Sequence, residues 1–302
     1  MDLEEKTINY IPVQDAWIKH SSGRELQAVL LLRGYIDESY DHSKVPKVFT
    51  LSCLISFDNM WPWFEMAWVK VLEETNAWLK QQGRPTISRF HATDWNGSFG
   101  EFAGWAPSER LELAKKLVVV FRNHGVHLHS FDLPLQTMVQ EIPETASNPI
   151  GFAYVLLFVM LADQISKGTL PLYPHDYIVL HHDHCDYDGA LADTFAWLKK
   201  DKAIHNISRF VSLTPEYGEH CVLLQPADLI AFENFKEGMR FHYPDENKRP
   251  IRGSLQAIFD LDAVSGRSSA FGPTAIEELK RLVREIDPKI KGRIFSAARI
   301  KP

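Results

Sequence analysis

From residue 28 the chain runs Ala28-Val29-Leu30-Leu31-Leu32-Arg33-Gly34-Tyr35-Ile36, a mostly apolar run that follows the polar stretch His20-Ser21-Ser22-Gly23. A short, continuous run rich in Leu, Val and Ile predicts a buried β-strand rather than a helix. Val48 to Phe57 predicts a second strand, reached through a loop holding Pro46, so that the two form a hairpin. From Trp61 to Gln82 the apolar residues Phe64, Trp68, Val69, Leu72, Ala77 and Leu79 recur at helical spacing and stop at Gly83, with Pro85 just beyond. Ile87 to Asp94 reads as a short strand end, followed by a glycine- and aromatic-rich loop from Trp95 to Trp105 and a helix from about Ser108 to Asn123.

The second half alternates. Val126 to Leu133 predicts a strand, Asn148 to Lys167 an apolar core helix ending at Gly168, Tyr177 to Asp183 a strand and Tyr187 to Lys200 a helix. Ile207 to Leu213 reads as a strand, Leu224 to about Lys236 as a helix, and Thr274 to Ile286 as an amphipathic helix. Strands alternating with helices predict an α/β fold with some parallel pairing. The expected organisation is one α/β domain over 1–240, with 241–302 as a C-terminal helical extension packed on it.

With 302 residues, 45% hydrophobic and 24% charged, the chain is long enough for a full core. The apolar stretch Ile150 to Ala162 is shorter than the ~20 residues that cross a bilayer, so no membrane span is expected. The N-terminal Met1-Asp2-Leu3-Glu4-Glu5-Lys6 carries no apolar signal core, and Cys53, Cys185 and Cys221 form no C-x-x-C pair. Both features lead to the expectation of a cytoplasmic protein. A net charge of -6 argues against indiscriminate coating of nucleic acid but leaves room for a local basic groove. Lys199, Lys200 and Lys202, and the acid-free stretch holding Lys289, Lys291, Arg293, Arg299 and Lys301, are candidate nucleic-acid contacts. Their plainer reading is a helix-dipole complement and a solubilising tail.

Candidate chemistry begins with Asp37 and Glu38, which follow the first apolar run, and Asp183, which ends the strand from Tyr177. In open α/β sheets the working crevice lies beyond the carboxyl ends of the strands. Side chains alternate along a strand, so Asp37 and Glu38 face the same way only if the chain bends there. Asp228 lies near the start of a helix whose neighbours Leu223, Leu224, Ala227, Leu229, Ile230 and Phe232 predict burial on most sides. An acid in such surroundings is usually paired or bound to a cation. The competing readings are a solvated turn at Asp37-Glu38-Ser39 and a dipole-offsetting acid at Asp228. Carboxylates from two strand ends and a helix are the hard-oxygen set suited to Mg²⁺ or Mn²⁺. Two such ions about 4 Å apart activate water and steady the leaving oxygen in phosphodiester cleavage.

His181, His182, His184 and Cys185 surround Asp183 and raise a zinc alternative, which strand alternation opposes by dividing them between two faces. No serine-hydrolase, P-loop or dinucleotide motif is present. Trp95 and Trp105, in the loop beside His91, are the expected base-stacking residues.

Four segments, in order across about residues 30 to 240, carry a family resemblance: Tyr35-Ile36-Asp37-Glu38-Ser39, Phe90-His91-Ala92-Thr93-Asp94, the strand ending in Asp183, and Gln225-Pro226-Ala227-Asp228-Leu229-Ile230-Ala231. Together they resemble the family catalogued as domain of unknown function 3800. The resemblance implies a ribonuclease H-like mixed sheet flanked by helices, and a hydrolase acting as a divalent-metal-dependent nuclease or phosphodiesterase. It further implies that Asp37, Glu38, Asp183 and Asp228 hold Mg²⁺ or Mn²⁺, with His91 as a nearby catalytic residue. Asp186 and Asp188, close to Asp183, are alternative ligands. The expectation from a different class is a non-catalytic binding or defence-associated module in which the acids form a structural cluster.

Overall fold

The computed structural model describes residues 31–41, 46–167, 176–201, 204, 206–260, 265–270 and 273–297. The predicted first three residues of the opening strand, Gly168, Lys202, Arg299 and Lys301 lie outside them. The opening run forms β1 (Leu31–Tyr40), which continues past Ile36 through both acids, and the next forms β2 (Val48–Phe57) with the predicted bounds. They pair antiparallel from Leu32↔Phe57 to Tyr40↔Phe49. β3 (His127–Pro134) adds antiparallel to β2, while β4 (Tyr177–Asp183) and β5 (Phe210–Glu216) extend the other side in parallel. β6 (Ser265–Ala270) pairs parallel with β3, giving the order β5-β4-β1-β2-β3-β6.

Every residue of β2 from Val48 to Ser56 is buried, which requires cover on both faces of the sheet. One layer is built on α5 (Pro149–Lys167), with α4 (Leu135–Glu141), α6 (Asp188–Asp201), α9 (Pro273–Glu285) and α10 (Pro288–Ala297) around it. The other holds α1 (Trp61–Gln81), α2 (Ala92–Gly97), α3 (Pro107–Asn123), α7 (Leu224–His242) and α8 (Gly253–Asp260). Strand alternation assigns residues to the layers: Leu32 and Ile36 pack with α5, whereas Tyr35 packs with α1 and α7. α5 is apolar nearly all round and long enough to span a bilayer by composition, but most of it is buried inside the fold.

The architecture is therefore α/β, with a mixed sheet between two helical layers. Several local expectations need correction. Residues 87–91 form no strand, and Ala92 opens a helix with His91 as its extended N-cap. Ile207–Arg209 is a 3-10 turn before β5, and α7 runs six residues past Lys236. The extension beyond 241 is not wholly helical, because β6 joins the main sheet.

Candidate functional site

Pairing between β1 and β4 ends at Ile36↔His182. The next pair in that register is Asp37 and Asp183, two acids that repel if held side by side. The pairing stops there, at the carboxyl end of β4 and short of the end of β1, beside a cleft of about 370 Å³. Asp37, Glu38, His91, Asp183 and Asp228 all line it.

Each acid is fixed by hydrogen bonds that, among the described residues, engage one of its carboxylate oxygens. Asp37, 8% exposed, accepts the Glu38 N–H at 2.8 Å. Glu38 accepts the Tyr154 hydroxyl from α5 at 3.1 Å, so its carboxylate reaches the cleft from the α5 side of the sheet. Alternation thus holds, and both acids reach the cleft without a bend in β1. Asp183 Oδ1 accepts N–H groups from His184 at 3.0 Å and Gly218 at 2.9 Å. A Cβ on Gly218 would lie 3.1 Å from the same oxygen, so glycine keeps this approach open. Asp228 Oδ2 accepts the Ala92 N–H, the first of α2, at 2.7 Å.

Gln225 is the positioning residue that sequence reasoning passed over. Its buried Oε1 accepts the Trp68 indole at 3.1 Å and the Phe90 N–H at 3.0 Å, locking the start of α7 to α1 and to the segment carrying His91. A lone amide among Leu223, Leu224, Pro226 and Ala227 was the available signal. Arg89 was also passed over; it lines the cleft, and its guanidinium has no carboxylate partner among the described residues. His91 sits on the same wall with Asp94 Oδ2 3.1 Å from Nδ1.

Electrostatics set this group apart. Burial, followed by the charges of Asp228, Glu38 and Asp183, holds the Asp37 carboxyl well above the usual carboxylate range. Burial pushes Glu38 up to about 7, opposed by the Tyr154 hydrogen bond and reinforced by Asp183. Asp228 rises to about 6, again mainly through burial, against the Ala92 N–H and nearby His91. None of Asp37, Glu38, Asp183 and Asp228 is ion-paired to a lysine or arginine among the described residues. Three carboxyls that burial holds above their usual range, with no lysine or arginine ion-paired to them among the described residues, make an oxygen-donor set that fits a hard divalent ion. The donors do not gather tightly enough to make a group of three within 4.8 Å of one another. A two-ion site spreads its ligands more widely than a single-ion site.

Among the described residues only His182, Cys185 and Asp188 form such a group, because the chain turns after Asp183 and defeats the alternation used to separate them. Its atoms are already engaged. His182 Nδ1 donates to the Asp183 carbonyl at 2.9 Å, and Asp188 accepts the Cys185 N–H at 3.0 Å while pairing with the His184 ring. Burial also raises the Cys185 thiol, which disfavours the thiolate a soft metal needs. Asp188 therefore orders the turn, and Asp186 does not line the cleft.

One further expectation is corrected. Trp95 and Trp105 are 3% and 5% exposed and packed in the core, so neither offers a free face to a base. Of the candidate basic residues, Lys289 and Arg293 bind Asp193 at 2.8 and 3.1 Å, Lys291 binds Glu144 at 3.0 Å, and Lys199 donates to the Phe210 carbonyl at 2.7 Å. Compared with known proteins, the chain matches no family model, and no curated protein matches it.

Proposed function

We propose that this chain is a divalent-metal-dependent nuclease or related phosphodiesterase built on a ribonuclease H-like core. The observation that carries the reading is the convergence of Asp37, Asp183 and Asp228, from two strands and a helix, on one cleft, with none of them ion-paired to a lysine or arginine among the described residues. The fold assignment is supported by an antiparallel β1-β2-β3 meander that continues through β1 into parallel β4 and β5.

In this reading Asp37, Asp183, Asp228 and Glu38 would hold Mg²⁺ or Mn²⁺. Ions bound there would supply Lewis-acid stabilisation of phosphoryl charge and a nucleophilic water at neutral pH. The chain's own groups do the positioning. The Gly218 and His184 N–H groups fix Asp183, Ala92 fixes Asp228, and Gln225 sets the distance between them by anchoring α7. Arg89 contacts a substrate phosphate, and His91 delivers a proton to the leaving oxygen.

A panel of single- and double-stranded DNA, RNA and nucleotides, assayed with Mn²⁺, tests the reading. Asp37→Asn and Asp183→Asn should each lower cleavage by about 100-fold or more while circular dichroism stays unchanged. Full activity in both variants would sink the model. Absence of cleavage together with no thermal shift in millimolar Mg²⁺ or Mn²⁺ would instead support a non-catalytic binding module.

A further inference from the structure

Tyr217 is 56% exposed and lines the acidic cleft, where the Phe90 ring is by contrast buried. Its exposure is built rather than incidental. The ring rests against His184 with centroids 4.6 Å apart and planes at 47°, and His184 is itself held by Asp188. The Tyr217 carbonyl accepts the N–H groups of His220 at 2.8 Å and Cys221 at 3.0 Å, which fixes the turn leading into α7. The neighbouring Gly218 N–H ties the same turn to Asp183. The ring is thereby held beside Gly218, whose N–H binds a predicted metal ligand. On the Asp228 side, three residues before the Ala92 N–H that binds that acid, Arg89 lines the cleft with a guanidinium that has no carboxylate partner within ion-pair distance among the described residues.

A ring face and a guanidinium flanking one cleft match the two halves of a nucleotide, a base to stack and a phosphate to pair. Bases within a duplex have both faces occupied by their neighbours, so only an unpaired base can meet Tyr217. We infer that the Tyr217–His184 ring pair and Arg89 form a subsite for one unpaired nucleotide, making single-stranded nucleic acid the substrate class of the cleft. The inference rests on the nuclease reading for the consequence of binding, but not for binding itself.

Binding is measured by fluorescence anisotropy with labelled single-stranded oligonucleotides and matched hairpin duplexes, in Ca²⁺ so that binding is read apart from turnover. Tyr217→Ala should weaken single-strand binding by about 5- to 150-fold, the range of one lost base–aromatic stack. Tyr217→Phe should stay within about 2-fold of wild type, because the ring and not the hydroxyl carries the stack. Arg89→Ala should reduce the salt slope of binding by about 0.7, one phosphate contact. The thermal shift with Mn²⁺ should be unchanged in Tyr217→Ala, which separates loss of the platform from damage to the acids. Undiminished single-strand binding by Tyr217→Ala, equal affinity for duplex, or no oligonucleotide binding by the wild type would each overturn the inference. Tyr217-dependent binding without any cleavage in Mn²⁺ would uphold it and overturn the nuclease reading instead.

Discussion

Asp228 and Glu233 lie five residues apart on α7 and meet opposite fates. Glu233 is fully buried, with the Arg252 Nε at 3.2 and 2.9 Å from its two oxygens and the Ser254 hydroxyl at 2.7 Å. Arg252 is in turn fixed by Asn96 at 2.8 Å and lies over the Trp95 and Phe232 rings. Nothing about Glu233 invites an outside ligand. Asp228 has one backbone N–H, a cleft in front of it and three other acids sharing that cleft. Burial of a carboxylate is thus uninformative alone. The distinction lies in whether the fold supplies the counter-charge or leaves it to be supplied.

The strongest way to break this contrast is to exchange the two situations. Arg252→Met retains an aliphatic stem over the rings but strands the Glu233 charge, and should destabilise the protein by about 3–5 kcal/mol in urea unfolding. Asp228→Asn should do the reverse without metal, removing a like charge and raising Tm by about 2–4 °C per kcal/mol of relieved repulsion. If both variants shift stability in the same direction, the two acids are not different in kind.

The second test is pH. Glu38 and Asp228, at about 7 and about 6, bind protons more tightly folded than unfolded. Their contribution to stability is full below the ordinary carboxylate range and is lost as pH rises through about 6 and then about 7. Metal-free Tm should therefore fall from pH 5 to pH 8, while the gain from Mn²⁺ grows over the same interval because ions and protons compete for the same oxygens. Differential scanning fluorimetry with and without Mn²⁺ reads both trends, and a pH-independent gain would contradict the assignment. The smallest effect belongs to Gly218→Ala, where a methyl 3.1 Å from Asp183 Oδ1 should weaken Mn²⁺ binding by about 10-fold, measured by titration calorimetry.

Much of this arrangement is legible in the residues. Leu32, Ile36 and the β2 run carry enough apolar character to mark the central hairpin, and the spacing of Phe64, Trp68, Leu72 and Leu79 marks α1 with its stop at Gly83. The site acids stand out for a similar reason, since charge at the end of an apolar run is conspicuous. What escaped was decided by tertiary context. Ser265-Gly266-Arg267-Ser268-Ser269-Ala270 has no apolar alternation and becomes β6 through pairing with β3. Ile290, Ile294 and Ala297 form a buried stripe on α10 that lysines and arginines mask in a charge-based reading. Trp95 and Trp105 look like loop residues among glycines, yet the loop folds back and seals them into the second core. Glu38 enters the site from the sequence only through the family resemblance or a bend, because parity along β1 says nothing about where β4 stops pairing.

α7 is secured at both ends: Gln225 engages Trp68 and Phe90 at its start, and His242 pairs with buried Asp132 of β3 at its finish. Fourteen residues separate Asp228 from His242, about 21 Å of helix. A rod clamped this way serves as a ruler, converting length in the chain into the placement of one carboxylate. Adding a single residue between Gln225 and Asp228 would swing Asp228 through about 100° relative to the near clamp and out of the cleft. The same addition in the Tyr243 to Pro250 loop lies beyond the far clamp and leaves the ruler's graduation intact.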